Sequence, residues 1–163
     1  MKKILIILFI FSTFAFSNSL GLSPQDIVIL KKIKSVTNDK MMKYTLMALA
    51  IKESSVGKNQ INLVTNDFGF FQGNIKSVVR RQNIPDNNPM VREYLSNKLL
   101  TDARFALANA IEEVNYWRKV HKENWPRVWA SYNTGWNYKT KTGLAYSSDV
   151  FEIIKKLKVE YKL

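Results

Sequence analysis

The chain contains no cysteine and a single histidine, and these two scarcities exclude several kinds of chemistry. Without cysteine no disulfide can staple the fold, so stability must come from packing, and a Cys–His dyad is excluded. With one histidine, a histidine-rich metal site is excluded too, and a Ser–His–Asp triad would depend wholly on His121. Because His121 lies among Lys119, Lys122 and Glu123 in an apparent loop, we interpret it as a surface histidine. The sequence predicts no metal site and no cofactor.

Long apolar runs are scarce as well, and the longest one lies near the N-terminus. Residues 1–17, MKKILIILFIFSTFAFS, place Lys2 and Lys3 before an apolar run that ends in small residues near Ser17. This order is typical of a secretory signal peptide, and the run is shorter than the roughly 20 residues that span a membrane. We therefore expect export to the periplasm or cell envelope and a mature domain over residues 18–163, with an uncleaved anchor as the alternative.

Acidic side chains are few relative to basic ones. The chain has 25 Lys and Arg against 13 Asp and Glu, and loss of two lysines with residues 1–17 leaves a net charge of +10. Such a charge suits nucleic acid, an anionic membrane or an anionic cell wall. Nucleic acid is the least fitting of these for an exported chain without an RNA-binding motif. The length of 163 residues suits one domain with a real core.

An apolar segment that ends in a glutamate is the most informative part of the sequence. Residues 44–51 are almost continuously apolar, and Leu46, Leu49 and Ala50 share a helical stripe that Glu53 continues. Desolvation there disfavours the ionised carboxyl group, so Glu53 is suited to protonate a leaving oxygen as a general acid. The residues alone also allow a solvated glutamate at a helix end.

The residues after this helix carry a resemblance to a known family. An E-S pair ending an apolar helix, followed by D-x-G-x-x-Q, resembles the lysozyme-like superfamily and, within it, the small exported lytic transglycosylases. These enzymes have SLT-type domains and include secretion-system-associated forms, and c-type lysozymes carry a similar motif. Phe71 stands where the transglycosylases usually have Met, and Gly73 where Ile is usual. The matching positions are Glu53, Ser54, Asp67, Gly69, Gln72 and Asn74.

A second motif lies in the most aromatic stretch, residues 125–136. A helix is expected to end near Asn133, with Trp129 in the core. Aromatic faces stack on sugar rings, and tyrosine hydroxyl and asparagine amide groups can bond sugar hydroxyls and N-acetyl groups. The Y-N-T-G that begins at Tyr132 resembles the Y-N-A-G of the same transglycosylases, whose equivalents of Tyr132 and Asn133 line the cleft. The family also places a cleft tyrosine at the start of the last helix, where this chain has Tyr146.

The remaining pattern, with the resemblance, predicts a mainly α-helical, lysozyme-like bundle with a short loop or β-hairpin flanking the cleft. Residues 57–74 are polar and punctuated by glycine, so at most two short strands are expected there. The longest helix is expected to start at residues 101–102 and to pack behind Glu53, because alanines recur on one face. Its Glu112 and Glu113 point about 100° apart and are interpreted as solvated.

Other helix boundaries are predicted from capping residues. The helix after Asn88 is expected to turn Tyr94, Leu95 and Leu99 inward. A basic loop is expected over residues 139–146, with a last helix capped by residues 147–149. Further helix starts are expected at Ser23 and Asp39.

The resemblance implies cleavage of peptidoglycan between N-acetylmuramic acid and N-acetylglucosamine. Glu53 would protonate the glycosidic oxygen and then accept a proton from the C6 hydroxyl of the same sugar, forming a 1,6-anhydro ring without water. Implied partners are glycan strands and a secretion or envelope assembly, with no nucleic acid and no stable membrane insertion after signal cleavage. The implied substrate-binding residues are Ser54, Asp67, Gln72, Tyr132, Asn133 and Tyr146.

Three alternatives stay open. A lysozyme-type hydrolase could use Asp67, which matches the second carboxylate of c-type lysozymes, although Asp67 could equally be a structural acceptor of loop N–H bonds. A glycan-binding or secretion-assembly module would have lost catalysis. A cationic membrane-active protein would use a basic face formed by Lys155, Lys156 and Lys158.

Overall fold

The computed structural model describes residues 19–85 and 88–163, and the prediction of a mainly α-helical chain is confirmed. The predicted signal peptide over residues 1–17 lies outside the described residues. No helix within the described ranges has the length and apolar character needed to cross a membrane. In chain order the elements are α1 Pro24–Lys34, α2 Lys40–Ser54, β1 Ile61–Asn62, β2 Asp67–Phe68, β3 Gly73–Asn74, α3 Ile75–Arg81, α4 Pro89–Thr101, α5 Ala103–His121, α6 Trp125–Thr134, the 3₁₀ helix Gly135–Asn137, and α7 Lys141–Val159.

The predicted caps begin the first helices. Ser23 and Asp26 form a capping box, in which each side chain accepts a hydrogen bond from the backbone N–H of the other, at 3.2 and 2.8 Å. Lys58 Nζ lies 2.7 Å from Asp26 Oδ2 and joins α1 to the segment after α2. The caps predicted for α2, α4 and α5 are confirmed at Asp39, Asn88 and Asp102.

Helix α2 runs through the centre of the core. Its predicted inward residues Leu46, Leu49 and Ala50 are fully buried, and the helix packs against α1 and α7. The indole N–H of Trp129, buried as predicted, donates to Thr45 Oγ1 at 3.0 Å and fixes α6 against α2. Because neighbouring elements bury the apolar residues of α2, its last turn, which carries Glu53, is where this helix meets solvent.

Helix α5 does not take the place behind Glu53 that was predicted for it. It packs chiefly on α6 and α4, whereas α7 covers α2. The small residues Ala106 and Ala110, read from sequence as a surface for close helix packing, line a cleft. A small side chain can face either a cleft or a closely packed helix, and the periodic pattern does not distinguish the two.

The segment between α2 and α3 forms three short strands, so the prediction of at most two is wrong. The strands are antiparallel in the order β1-β2-β3, with Ile61 opposite Phe68 and Asp67 opposite Asn74. Two-residue strands carry no readable alternation of apolar and polar positions, which explains the miss. Gly69 has φ +82°, and a Cβ there would meet the carbonyl oxygen of Leu99 at 2.3 Å, so glycine lets this sheet approach α4.

Helix α7 begins earlier than predicted, and both the loop over residues 139–146 and the cap at 147–149 are wrong. Thr140 is the cap, because its Oγ1 accepts a hydrogen bond from Gly143 N–H at 3.3 Å. A Cβ at Gly143 would meet the carbonyl oxygen of Tyr138 at 2.7 Å, so glycine allows close packing here despite its low helix propensity. Ser147 resembles a cap in sequence but is buried inside the helix.

Two further predictions fail for individual side chains. Tyr94 is exposed, whereas Leu95 and Leu99, one helical turn apart, are buried as predicted. His121 is not a surface residue: it ends α5, is buried, and its Nε2 lies 2.8 Å from Ser131 Oγ. The error for Tyr94 arises because neighbouring positions on a helix differ by about 100° in direction and tertiary packing decides which one faces inward. The error for His121 arises because α5 extends to this residue, where the sequence indicates a loop.

Candidate active site

A cleft of about 550 Å³ opens beside the last turn of α2. Residues from the sheet, α3, α5 and α6 form its walls, and its size lies in the range of small-molecule sites. The cleft gathers five of the seven site residues predicted from sequence: Glu53, Asp67, Gln72, Tyr132 and Asn133.

Glu53 lies half-buried in the last turn of α2, where its environment changes its acidity. The pKa of the carboxyl group is raised from 4.5 to about 7, chiefly by burial and to a lesser extent by the negative charge of Asp67. A hydrogen bond from Tyr146 and the positive charge of Lys52 act in the opposite direction. Burial dominates, so Glu53 holds a proton in a substantial fraction of molecules at neutral pH.

Tyr146 is the hydrogen-bond partner of Glu53. Its hydroxyl donates a hydrogen bond to Glu53 Oε1, and burial together with the charge of Glu53 raises the pKa of Tyr146 well above its ordinary value. Tyr146 therefore stays protonated and donates at all working pH values. Because it is buried and does not line the cleft, its geometry suits positioning of Glu53 rather than the sugar contact expected from sequence.

Ser54 is a second residue whose placement differs from the expected substrate contact. It is completely buried, and its hydroxyl donates to the carbonyl oxygen of Phe70 at 2.7 Å while accepting from Gly57 N–H at 2.8 Å. The following Ser55 ends α2 in the left-handed conformation with φ 52°. Ser54 thus ties the end of α2 to the sheet loop and positions Glu53 from inside the fold.

Asp67 and Gln72 lie on the sheet side of the cleft. Asp67 Oδ1 accepts a hydrogen bond from Asn74 Nδ2 at 2.8 Å, so its partner is a side-chain amide rather than the loop N–H groups considered from sequence. Gln72 has φ 46° and donates from Nε2 to the carbonyl oxygen of Gly69 at 3.1 Å. The Asp67 side chain is fixed by a neighbour in the sheet and the Gln72 side chain by the turn between β2 and β3, and both line the cleft.

Tyr132 and Asn133 contribute from α6. The Tyr132 hydroxyl donates to the carbonyl oxygen of Phe71 at 2.9 Å and joins α6 to the sheet loop. Burial, followed by the charge of Glu53, raises the pKa of Tyr132 well above its ordinary value, so the hydroxyl remains neutral. The exposed amide of Asn133 makes no hydrogen bond with any other described residue, which leaves its donor and acceptor groups available in the cleft.

The cleft wall formed by α3 and α5 contains an ion pair that the sequence did not predict. Arg81 of α3 pairs with Glu113 of α5, and Glu113 Oε1 also accepts from the indole N–H of Trp117 at 2.6 Å. Arg81 Nε donates to Asn109 Oδ1 at 3.3 Å. The interpretation of Glu113 as solvated is therefore wrong. The available signal was its position one helical turn before Trp117, on the inward side of α5.

Within residues 19–85 and 88–163, no group of three or more His, Asp or Glu side chains could hold a metal ion. Comparison of the chain with protein-family models, with curated proteins and with solved structures finds no match. The interpretation of the cleft depends on its residues and their geometry.

Proposed function

We propose that this protein has a lysozyme-like fold and is a lytic transglycosylase that cleaves the glycan strands of peptidoglycan. The observation that carries the proposal is Glu53, a carboxyl group with a pKa of about 7 that lines the cleft and accepts a hydrogen bond from Tyr146. A general acid works best when its pKa lies near the working pH. The proposal includes export to the cell envelope, where peptidoglycan lies.

The first step is proton donation. The bond from Tyr146 occupies Oε1 of Glu53, which leaves Oε2 to carry the proton. Glu53 gives that proton to the glycosidic oxygen after N-acetylmuramic acid, the bond from C1 to this oxygen breaks, and positive charge develops at C1. The N-acetyl group of the substrate and the carboxylate of Asp67 can stabilise that charge.

The second step reverses the proton transfer. The Glu53 carboxylate accepts the proton of the C6 hydroxyl of the same sugar, the C6 oxygen bonds to C1, and a 1,6-anhydro ring closes. Glu53 returns to its protonated form and no water is consumed. One residue must therefore both give and take a proton, and a pKa near 7 serves both directions.

A lysozyme-type hydrolase is the second candidate, and Asp67 is the observation that favours it. Asp67 lines the same cleft and lies near enough for its charge to raise the pKa of Glu53. Paired carboxyl groups on one cleft are the usual equipment of glycoside hydrolases, in which the second one activates water or attacks C1. The two candidates therefore differ in the group that attacks C1, which is the C6 hydroxyl in the lyase and water or Asp67 in the hydrolase.

Mass spectrometry of products released from purified peptidoglycan tests the proposal. Each strand cut by a transglycosylase ends in 1,6-anhydro-N-acetylmuramic acid, one water lighter than the hydrolysis product and without a reducing end. Glu53→Gln serves as the matched control, since it keeps size but loses the acid, and it should be slower on the order of 10²- to 10⁴-fold. Products with reducing ends would identify a hydrolase, and no release by wild type would indicate a glycan-binding module.

A further inference from the structure

Trp136 combines high exposure with a place in the cleft. It is 66% exposed, whereas Trp117 and Trp129 are buried and Trp125 is partly buried. Large apolar side chains are usually withdrawn from water, and an exposed one at a concave site commonly marks a contact with a ligand. Trp136 lines the same cleft as Glu53.

The Trp136 ring is held by other aromatic rings rather than left free. It packs edge-to-face on Trp117, with ring centroids 5.2 Å apart and an interplanar angle of 78°. Trp117 is itself fixed by its hydrogen bond to Glu113 and by stacking on His121. Tyr116, 48% exposed, packs edge-to-face on Trp117 with ring centroids 4.8 Å apart and also lines the cleft. We refer to Tyr116, Trp117 and Trp136 as the aromatic ledge.

The backbone before Trp136 is adapted to place it. Gly135 has φ 59° and ψ −131°, a conformation that residues with a Cβ rarely adopt. A Cβ at Gly135 would meet no atom within 4 Å. The glycine is therefore required by backbone conformation rather than by space, and it turns the chain from α6 into the 3₁₀ helix that carries Trp136.

We propose that the aromatic ledge is a sugar-binding subsite of the cleft, in which the exposed ring of Trp136 stacks on the apolar face of a pyranose ring. A pre-fixed tryptophan covers a sugar face without losing further side-chain freedom. Asn133 lies three residues before Trp136 and lines the same cleft, so its amide supplies a polar partner for an N-acetyl group of the glycan. The inference rests on the proposed function, because it takes the ligand of the cleft to be a glycan strand.

Binding of the β-1,4-linked N-acetylglucosamine hexamer to Glu53→Gln protein tests the subsite without turnover. In that background Trp136→Ala should weaken binding about tenfold, as measured by calorimetry, while Trp136→Phe should lose less because a ring remains. Phe151→Ala is the matched control, since Phe151 is 53% exposed and lies outside the cleft. It should bind as the parent does.

A second variant tests the orientation of the ring. Gly135→Ala keeps Trp136 but strains the backbone that places it, so it should also weaken hexamer binding, with circular dichroism confirming a folded protein. Equal binding by Trp136→Ala and parent, equal loss in Phe151→Ala, or no hexamer binding by the parent would each overturn the subsite. The proposed reaction is judged separately by wild-type digests: hexamer binding that depends on Trp136, without anhydro products, would keep the subsite and remove the lyase.

Discussion

The hydroxyl of Tyr146 donates a hydrogen bond to Oε1 of Glu53 across 93 positions of the chain. The bond joins α7 to the last turn of α2 and stabilises the ionised carboxylate, whereas burial stabilises the protonated form. The two effects oppose each other and leave the pKa at about 7. The same contact thus orients the carboxyl group and keeps its acidity within reach of neutral pH.

The first prediction concerns the pH dependence of activity. The acid step requires protonated Glu53, and its pKa is raised from 4.5 to about 7. We expect kcat/KM for peptidoglycan to fall as pH rises through about 7, by about tenfold per pH unit well above it. Rates of soluble fragment release between pH 5 and pH 9 measure this. A limb near the ordinary glutamate pKa would contradict the assignment of Glu53.

The second prediction removes the contact with Tyr146. Tyr146→Phe deletes a hydrogen bond that lowers the pKa of Glu53, so the basic limb of the pH profile should move to higher pH. The matched control is Tyr132→Phe, which removes a hydroxyl bonded to the Phe71 carbonyl rather than to Glu53. That change should lower the rate without moving the limb in the same direction. An unmoved limb in Tyr146→Phe would mean that the bond does not tune Glu53.

The third prediction concerns stability at the same residue. Between pH 4.5 and about 7 folded Glu53 holds its proton and the unfolded chain does not, so stability falls as pH rises through this window. Glu53→Gln removes that loss. The free energy of unfolding of the variant minus that of wild type should therefore increase by up to about 3 kcal/mol from pH 4.5 to pH 8.

Urea unfolding of both proteins at the two pH values measures this difference. Glu152→Gln is the control, because Glu152 is an exposed carboxylate paired with Lys155 on α7, and its effect should remain small at both pH values. A constant difference between Glu53→Gln and wild type across the window would show that burial does not shift the carboxyl group.

How far the sequence predicts this site depends on how local each contact is. The placement of Glu53 follows from one short segment, in which an apolar stripe meets a polar break, and the structure confirms that helix. The partner of Glu53 on α7 is not encoded locally, and only the family resemblance singled out Tyr146. Its buried place against Glu53 differs from the cleft position expected from sequence, because burial and hydrogen bonding depend on packing between distant helices.

The two errors that matter most for the cleft have the same origin. The spacing of Glu113 and Trp117 within α5 indicates an inward direction for Glu113, but it does not reveal that Arg81, from another helix, lies opposite. The start of α7 was misplaced because Thr140 and Ser147 are both acceptable caps by local criteria. Tertiary packing chose Thr140, since Gly143 lets the first turn approach the preceding chain closely.

The fourth prediction tests Ser54 as a structural residue. Ser54→Ala removes the hydrogen bonds of a completely buried hydroxyl and leaves the Phe70 carbonyl without this partner. We expect a loss of about 1–3 kcal/mol in the free energy of unfolding. Ser35→Ala is the control, because Ser35 lies at the end of α1 and its hydroxyl also donates to a carbonyl oxygen, but the residue is exposed. Equal, small effects in both variants would contradict a positioning role for Ser54.

The last prediction separates lyase from hydrolase through Asp67. In the lyase Asp67 makes no nucleophile, but its charge helps to raise the pKa of Glu53. Asp67→Asn keeps an oxygen to accept from Asn74 and removes that charge, so the basic limb should move to lower pH. The rate should then fall modestly at neutral pH and recover in part on acidification, because the carboxylate that helps to stabilise positive charge at C1 stays lost.

In a hydrolase the same variant loses the group that attacks C1 or activates water, and acidification cannot replace that group. The rate should then fall at every pH nearly as far as in Glu53→Gln. Glu152→Gln is again the control, because Glu152 is an exposed carboxylate outside the cleft and should not reproduce the loss. The measurements are the rates of Asp67→Asn from pH 5 to pH 8 and the masses of the products. Recovery at low pH with anhydro ends supports the lyase. Uniform loss of rate with reducing ends makes this protein a lysozyme-type hydrolase.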